Sequence, residues 1–132
     1  MSQENVEVVR HIYSRWTPGS SPAESNLLHP DIEWVNPSDA LEPGTRTGLE
    51  AFTSVIEGLD DTIRDLRMEV ERCIDAEDRV VVIATMRGYG STSGVEVERQ
   101  HGAVWTIRDG KAIRFQWFHD PGDALEAAGL SE

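Results

Sequence analysis

Three basic side chains interrupt the apolar rows of the last two predicted strands. Alternate residues of a strand point to the same face, and Arg99 and His101 fall in the row that contains Ala103 and Trp105. His119 continues the corresponding row of the final strand. A charged group on an inward face is costly unless it is paired or solvated. The pattern therefore predicts a water-filled or ligand-binding hollow beside these three residues.

The preceding strand contributes two more polar side chains to the predicted site. Thr85 and Arg87 share a row with Tyr89, although the opposite row of that strand is apolar as well. We expect the turn at residues 91–94 to bring this row beside the basic cluster. Two arginines without a matching carboxylate favour an anionic ligand, and a mostly apolar pocket with few polar groups is typical of small-molecule sites. The aromatic walls are expected to come from Tyr89, Phe115 and Trp117.

Each of these residues also has a purely structural interpretation. A histidine on an apolar face is often a hydrogen-bonded core residue, so His101 alone does not establish a site. Arg99, near a sheet edge, could bury its stem and keep its head in water. The aromatic residues fit a core as well as a ligand platform. Asp120 before Pro121 is most simply a helix cap.

The hairpin between the last two strands fixes which residues meet. Asp109-Gly110 is a strong hairpin signal, and Arg108 to Gly110 can form a three-residue loop with glycine in the left-handed position. That loop would place His101 opposite Trp117 and Arg99 opposite His119.

The elements that must position this cluster are helices first and strands after. Apolar residues at three- and four-residue steps predict a helix over 4–16, and Ser21-Pro22-Ala23-Glu24 and Thr47-Gly48-Leu49-Glu50 have the form of capping boxes. Residues 36–47 are predicted to be mostly loop. This order indicates an α+β fold. Strands are predicted at 32–36, from 66 to 74, 79–90, 95–108 and 111–118, followed by a short helix after Asp120.

Composition limits the classes of function. The 132 residues suffice for one domain, and 39% of them are apolar. The 12 basic and 24 acidic residues leave a net charge of −12, which disfavours nucleic acids and anionic membranes as partners. No signal peptide, membrane span or phosphate-binding glycine loop is recognisable. The single cysteine and the histidine spacing predict no disulfide and no metal site, so we expect a cytoplasmic protein without a cofactor.

The chain also resembles a known family. Residues 8–16, 29–34, 42–48, 108–111 and 124–130, in that order and spacing, are similar to the SnoaL-like branch of the nuclear transport factor 2-like superfamily, which includes ketosteroid isomerase relatives. The resemblance implies one domain over residues 1–132. Its fold would be a cone-shaped α+β barrel in which three N-terminal helices pack in a strongly curved, mostly antiparallel sheet, with a short C-terminal helix and a deep pocket. Homodimers through the outer sheet face are common in the family.

The family's catalytic carboxylates have no counterpart here. Isomerase members use a carboxylate just before the proline of the first strand, where this chain has Asn36. Epoxide-hydrolase members use a tyrosine and an asparagine on that strand, matched by Trp34 and Asn36. Their charged residues on the later strands are replaced by Thr85, Arg87 and Trp117. An acid-base role in the pocket would fall to His101 or His119.

Two classes of function follow from these observations. The first is a cofactor-independent isomerase, cyclase or lyase acting on an apolar carbonyl or carboxylate compound, with His101 as acid/base, Arg87 and Arg99 stabilising a developing charge, and Asn36 orienting a carbonyl or water. The second is a non-catalytic ligand-binding or dimeric interaction module. A hydrolase is a third, less favoured alternative. The expected ligand-binding residues are Trp34, Thr85, Tyr89, Arg99, Phe115, Trp117 and His119.

Overall fold

Helices and strands follow the order predicted from the sequence. The structure is a computed structural model that describes residues 2–130. None of the helices in these residues is long and apolar enough to span a membrane. The elements are α1 (Ser2–Ser14), a single 3-10 turn (Pro22–Glu24), β1 (Leu28–Asn36), β2 (Gly44–Thr47), α2 (Leu49–Thr62), β3 (Ile63–Ala76), β4 (Arg79–Gly90), β5 (Glu96–Arg108), β6 (Lys111–Phe118) and α3 (Pro121–Ala127).

One curved sheet contains all six strands in the order β2-β1-β6-β5-β4-β3. The β1–β6 pairing is parallel, and the other four pairings are antiparallel. With α1 and α2 packed on its inner face, this is the α+β cone predicted from the sequence, so the predicted fold class is confirmed. The four-residue strand β2 lies within the stretch predicted to be mostly loop, because its sequence GTRT carries no apolar alternation. It forms by pairing with β1, where Trp34 faces Arg46.

The apolar stripes of α1 and α2 cover the inner face of the sheet. Val9 on α1 and Trp16, two residues after its end, are buried. Phe52 and Ile56 are buried on α2. The capping box predicted at Ser21 is present: its side chain accepts from Ala23 N at 3.2 Å, and its N–H donates to Glu24 Oε1 at 3.3 Å.

The capping box predicted at Thr47 is wrong. The residue at the start of α2 is Gly48, which has φ +104° and offers no side-chain acceptor to the first turn. The helix is instead held by the burial of its apolar face.

The β5–β6 hairpin differs from the predicted register. Arg108 pairs with Lys111, so the loop has two residues, and Asp109 and Gly110 both have positive φ. A bulge follows, after which Ala103 faces Trp117. The predicted pairings of His101 with Trp117 and of Arg99 with His119 are therefore wrong. Because the register is shifted by two residues from the predicted one, each side chain stays on its predicted face of the sheet.

The phase of β4 is opposite to the prediction. Val80, Val82 and Ala84 pack in the main core with the helices. The odd-numbered Val81 and Ile83 instead join a second apolar cluster beneath α3. Both rows are apolar, so alternation alone could not identify the inner one. Thr85, Arg87 and Tyr89 therefore lie on the outer face of the sheet, away from α1 and α2.

The terminal helix α3 covers the apolar part of that outer face. Asp120 caps it as predicted, its Oδ1 accepting from Gly122 N at 2.8 Å. Ala124 then packs where Gly102 leaves space on β5: a Cβ built on Gly102 would lie 2.6 Å from the Cβ of Ala124 and 3.0 Å from Pro121 Cα. Glycine at this position allows the close contact between helix and strand.

We predict that Gly102→Ala destabilises the fold by about 1–3 kcal/mol, because the added methyl group overpacks the contact with α3. Denaturant unfolding measures the change. Gly58→Ala on α2 is the control: its new Cβ would meet nothing within 4 Å, and we expect it to add about 0.5–1 kcal/mol of stability. Equal stability of the Gly102→Ala variant and the wild type would contradict the close packing.

Candidate functional site

A cavity of about 320 Å³ lies between α2, the residue Trp16 that follows α1, and the inner face of the sheet. Its volume is near the lower end of the range of small-molecule sites. Aromatic contacts make the wall continuous: the ring centroids of Trp34 and Phe115 are 4.6 Å apart, and those of Trp16 and Phe115 are 6.1 Å apart. The apolar lining residues are Trp16, Trp34, Val55, Leu59, Met68, Met86, Phe115 and Trp117.

Five polar residues complete the lining, and none of them is a carboxylate. They are Asn36, Arg99, Gln100, His101 and His119. Arg99, Gln100 and His119 are exposed, whereas Asn36 and His101 are half-buried. The cavity thus combines an apolar interior with polar groups that reach solvent.

Arg99 is the cation of this lining. It pairs across the sheet with Met86, which also lines the cavity. Within residues 2–130 the Arg99 guanidinium forms no ion pair. It is therefore available to an anionic or carbonyl oxygen.

Arg87 has the opposite environment. Its Nε donates to Glu69 Oε1 at 2.6 Å and its Nη1 bonds to Glu98. The same outer network joins Thr85 Oγ1 to Glu71 Oε2 at 2.6 Å. The Arg87 hydrogen bond lowers the pKa of the Glu69 carboxyl, and the hydrogen bonds from Thr85 and Gln100 lower that of Glu71. The prediction that Thr85 and Arg87 share the cavity with Arg99 is wrong, because they lie on the odd-numbered face of β4.

Tyr89 is also outside the cavity. It stands on the outer face, 36% exposed, with the Arg64 guanidinium 5.6 Å from its ring centroid. The prediction that Tyr89 forms a wall of the cavity is wrong, because the odd-numbered residues of β4 point to the outer face.

His101 lies on the inner face of β5, beside Ala84 of β4. Burial lowers its pKa below the ordinary 6.5, although the backbone of Arg99 and the charge of Glu71 act in the opposite direction. The imidazole is therefore neutral at pH 7. A neutral imidazole keeps one ring nitrogen as an acceptor, so His101 can receive a proton.

Asn36 joins two of the wall indoles. Its Oδ1 accepts from Trp34 Nε1 at 2.8 Å and from Trp117 Nε1 at 2.7 Å. Its Nδ2 donates to the Glu42 carbonyl at 2.8 Å. Trp117 in turn packs edge-on against His119, with ring centroids 4.7 Å apart.

The structure places seven of the ten predicted site residues around one cavity: Trp34, Asn36, Arg99, His101, Phe115, Trp117 and His119. Sequence reasoning missed six lining residues. Met86 was a usable signal, since it extends the even row Val80-Val82-Ala84 and identifies that row as the inner one. Val55, Leu59, Met68 and Trp16 look like ordinary core residues in the sequence, and Gln100 lies in a row predicted to face outward.

The described part of the chain offers no obvious metal site. Among residues 2–130 no group of three histidine, cysteine or acidic side chains comes together to hold an ion. The cavity is suited to an organic molecule, which its aromatic walls could contact on several sides.

Comparison with known proteins identifies the family. The family model of the SnoaL-like domain matches residues 9–115. The chain belongs to the SnoaL-like family. The resemblance inferred from the sequence is thereby confirmed. No curated protein matches this SnoaL-like chain in sequence.

Several solved structures share the SnoaL-like fold over nearly the whole chain. TerC, co-crystallised with polyporic acid, is 27% identical, with 96% of this chain and 98% of that chain covered and a TM-score of 0.74. A putative SnoaL-like polyketide cyclase from Jannaschia sp. CCS1 is 21% identical over 89% and 85% of the two chains, with a TM-score of 0.73. A protein with a ketosteroid isomerase-like fold from Catenulispora acidiphila DSM 44928, in complex with trimethylamine, is 19% identical over 94% and 93%, with a TM-score of 0.74.

We predict that the His101 imidazole titrates below the ordinary histidine value of 6.5, because burial disfavours its charged form. As pH falls below 6.5 the unfolded chain takes up this proton before the folded chain does. The stability contributed by neutral His101 is therefore fully present above 6.5 and is lost as pH falls toward the folded pKa. NMR titration of the ring protons and denaturant unfolding from pH 7.5 to 4.5 measure the two effects; His101→Gln should flatten part of the stability profile. A His101 pKa at or above 6.5 would contradict the account.

Proposed function

We propose that this chain binds a small apolar compound carrying a carbonyl or carboxylate group and transfers a proton on it without a cofactor. The observation that carries the proposal is that one apolar cavity is lined both by His101, a neutral imidazole, and by Arg99, whose guanidinium forms no ion pair among the described residues. A base needs a free lone pair, and a developing oxyanion needs donors nearby. Both are available here.

The chemistry proposed is that of an isomerase, cyclase or lyase. His101 takes a proton from the carbon next to a carbonyl group, and the electron pair of the C–H bond moves toward the carbonyl oxygen to form an enolate. Arg99 stabilises the charge on that oxygen, and the imidazolium returns its proton to carbon. Phe115, Trp34 and Trp117 hold the apolar part of the molecule. Arg87 has no part in this step, since it lies on the outer face.

The comparisons support the ligand class. TerC is 27% identical to this chain over nearly its full length and was co-crystallised with polyporic acid, an aromatic, acidic quinone. A compound of that kind combines flat apolar rings with oxygen acceptors, which suits aromatic walls beside Arg99. Polyporic acid is therefore a natural first ligand to test.

A second candidate function is ligand binding without turnover. It is favoured by one observation: no carboxylate is among the lining residues. Asn36 occupies the place of the isomerases' general base, and an amide cannot abstract a proton. In this case the cavity would bind the same class of compound without changing it.

Two further expectations concern assembly and location. We propose a homodimer formed through the outer sheet face, as the family resemblance implies, and a place in the cytoplasm. The terminal helix α3 already covers part of the apolar outer face, with Leu125 and Ala128 packed near Val81 and Ile83. Sedimentation equilibrium of the purified chain decides between monomer and dimer.

We predict that the protein exchanges the acidic C–H protons of 2-tetralone, an apolar bicyclic ketone, for deuterium in D₂O. His101→Gln should slow this exchange by about 10²–10⁴-fold, the usual contribution of general acid–base catalysis, while the dissociation constant of the ketone changes little. NMR follows the loss of the C–H signals. Binding with no exchange above the buffer rate would favour the second candidate; unchanged exchange in His101→Gln would exclude His101 as the base.

We predict that Arg99→Gln weakens the binding of 2-naphthoate by about 10–100-fold, because a hydrogen bond to a charged group contributes about 1.5–3 kcal/mol. Arg87→Gln is the matched control: it removes the same charge from the neighbouring strand but on the outer face, and it should leave the affinity unchanged. Isothermal titration calorimetry measures both. Equal losses in the two variants would show a general effect of net charge rather than a contact at the cavity.

A further inference from the structure

One amide oxygen determines the orientation of two walls of the cavity. We propose that Asn36 is a positioning residue that fixes the Trp34 and Trp117 indoles and selects for a hydrogen-bond acceptor in any ligand group that reaches it. The second half of this proposal rests on the proposed function, since it concerns ligand binding. The first half needs no ligand.

The strand arrangement brings the three side chains together. Trp34 and Asn36 are two residues apart on β1, so they point to the same face. The parallel pairing of β1 with β6 sets Val35 beside Gln116, which leaves Trp117 next to Asn36. The Asn36 Oδ1 then accepts both indole N–H groups, at 2.8 and 2.7 Å.

The orientation of the amide follows from this chemistry. An indole nitrogen can only donate, so the atom between the two indoles is the amide oxygen, and both of its lone pairs are used. The amide nitrogen consequently faces the Glu42 carbonyl at 2.8 Å. The second hydrogen on Nδ2 is the one donor that Asn36 can still offer to a ligand. A ligand atom beside Asn36 must therefore be an acceptor, such as a carbonyl, carboxylate or phenolate oxygen.

The two indoles link the buried and the open parts of the cavity. Trp34 contacts Phe115 and Phe52, with ring centroids 4.6 and 5.1 Å apart, while Trp117 packs against the exposed His119. The Trp105 indole, by contrast, donates to Tyr13 Oη at 3.1 Å, within the core. Asn36 thus orients wall residues at both ends of the cavity.

Indole N–H signals in a ¹⁵N–¹H NMR spectrum test the positioning role without a ligand. Asn36→Asp keeps an acceptor for both indoles and makes it charged, so the Trp34 and Trp117 signals should move downfield while the Trp105 signal stays. Asn36→Leu removes the acceptor, and both signals should move upfield. Tyr13→Phe is the matched control and should move the Trp105 signal alone. The positioning role would be overturned if the Trp34 and Trp117 signals were unchanged in Asn36→Asp. This result decides the question even if Asn36→Leu fails to fold.

Two probes test the selection for acceptors. Asn36→Asp loses the spare N–H, so 2-acetylnaphthalene, a neutral ketone that carries no charge for the aspartate to repel, should bind about 2- to 10-fold more weakly, as expected for one lost hydrogen bond. The second probe, 2-methylnaphthalene, has no acceptor and should bind as to the wild type. Equal losses for the two probes, or no loss for either, would overturn the selection. If neither probe binds the wild type, the selection fails together with the proposed function, whereas the indole signals still decide the positioning role.

Discussion

The antiparallel register of β4 and β5 determines which arginine lines the cavity. On β4 and β5, Met86 faces Arg99 and Arg87 faces Glu98. The pleat sends the first pair toward the helices and the second to the outer face. Arg87 is neutralised there by two carboxylates. Arg99 lies beside apolar walls and forms no ion pair with any residue that the structure describes. The chemistry proposed for the cavity depends on this one step of alternation.

Two wall indoles of the cavity share one hydrogen-bond acceptor, the amide oxygen of Asn36. In a low-dielectric site an unpaired donor or acceptor is costly, and the Asn36 amide removes that cost for two indoles at once. His101 avoids it by remaining neutral. The arrangement leaves Arg99 as the charge that a ligand has to match, in a protein whose net charge is −12.

Much of this arrangement was predictable from the sequence, for identifiable reasons. Strands β4 and β6 have the predicted bounds because turn residues and hairpin glycine mark their ends, and the β5 row of Arg99 and His101 was readable since its other face is polar. The inward-facing row of β4 could not be identified from the sequence, because both of its rows are apolar. The odd-numbered row is apolar because α3 covers it on the outer face. The β5–β6 register depended on a bulge that has no sequence signal. The Asn36–indole contacts required the parallel β1–β6 pairing, which local pattern does not encode.

The most direct test of the central claim is a crystal structure of the protein soaked with 2-naphthoate. The account predicts its rings against Phe115 and Trp34, with a carboxylate oxygen within about 3 Å of the Arg99 guanidinium. A naphthoate bound on the outer face beside Arg87, or a cavity that stays free of it at saturating concentration, would contradict the account.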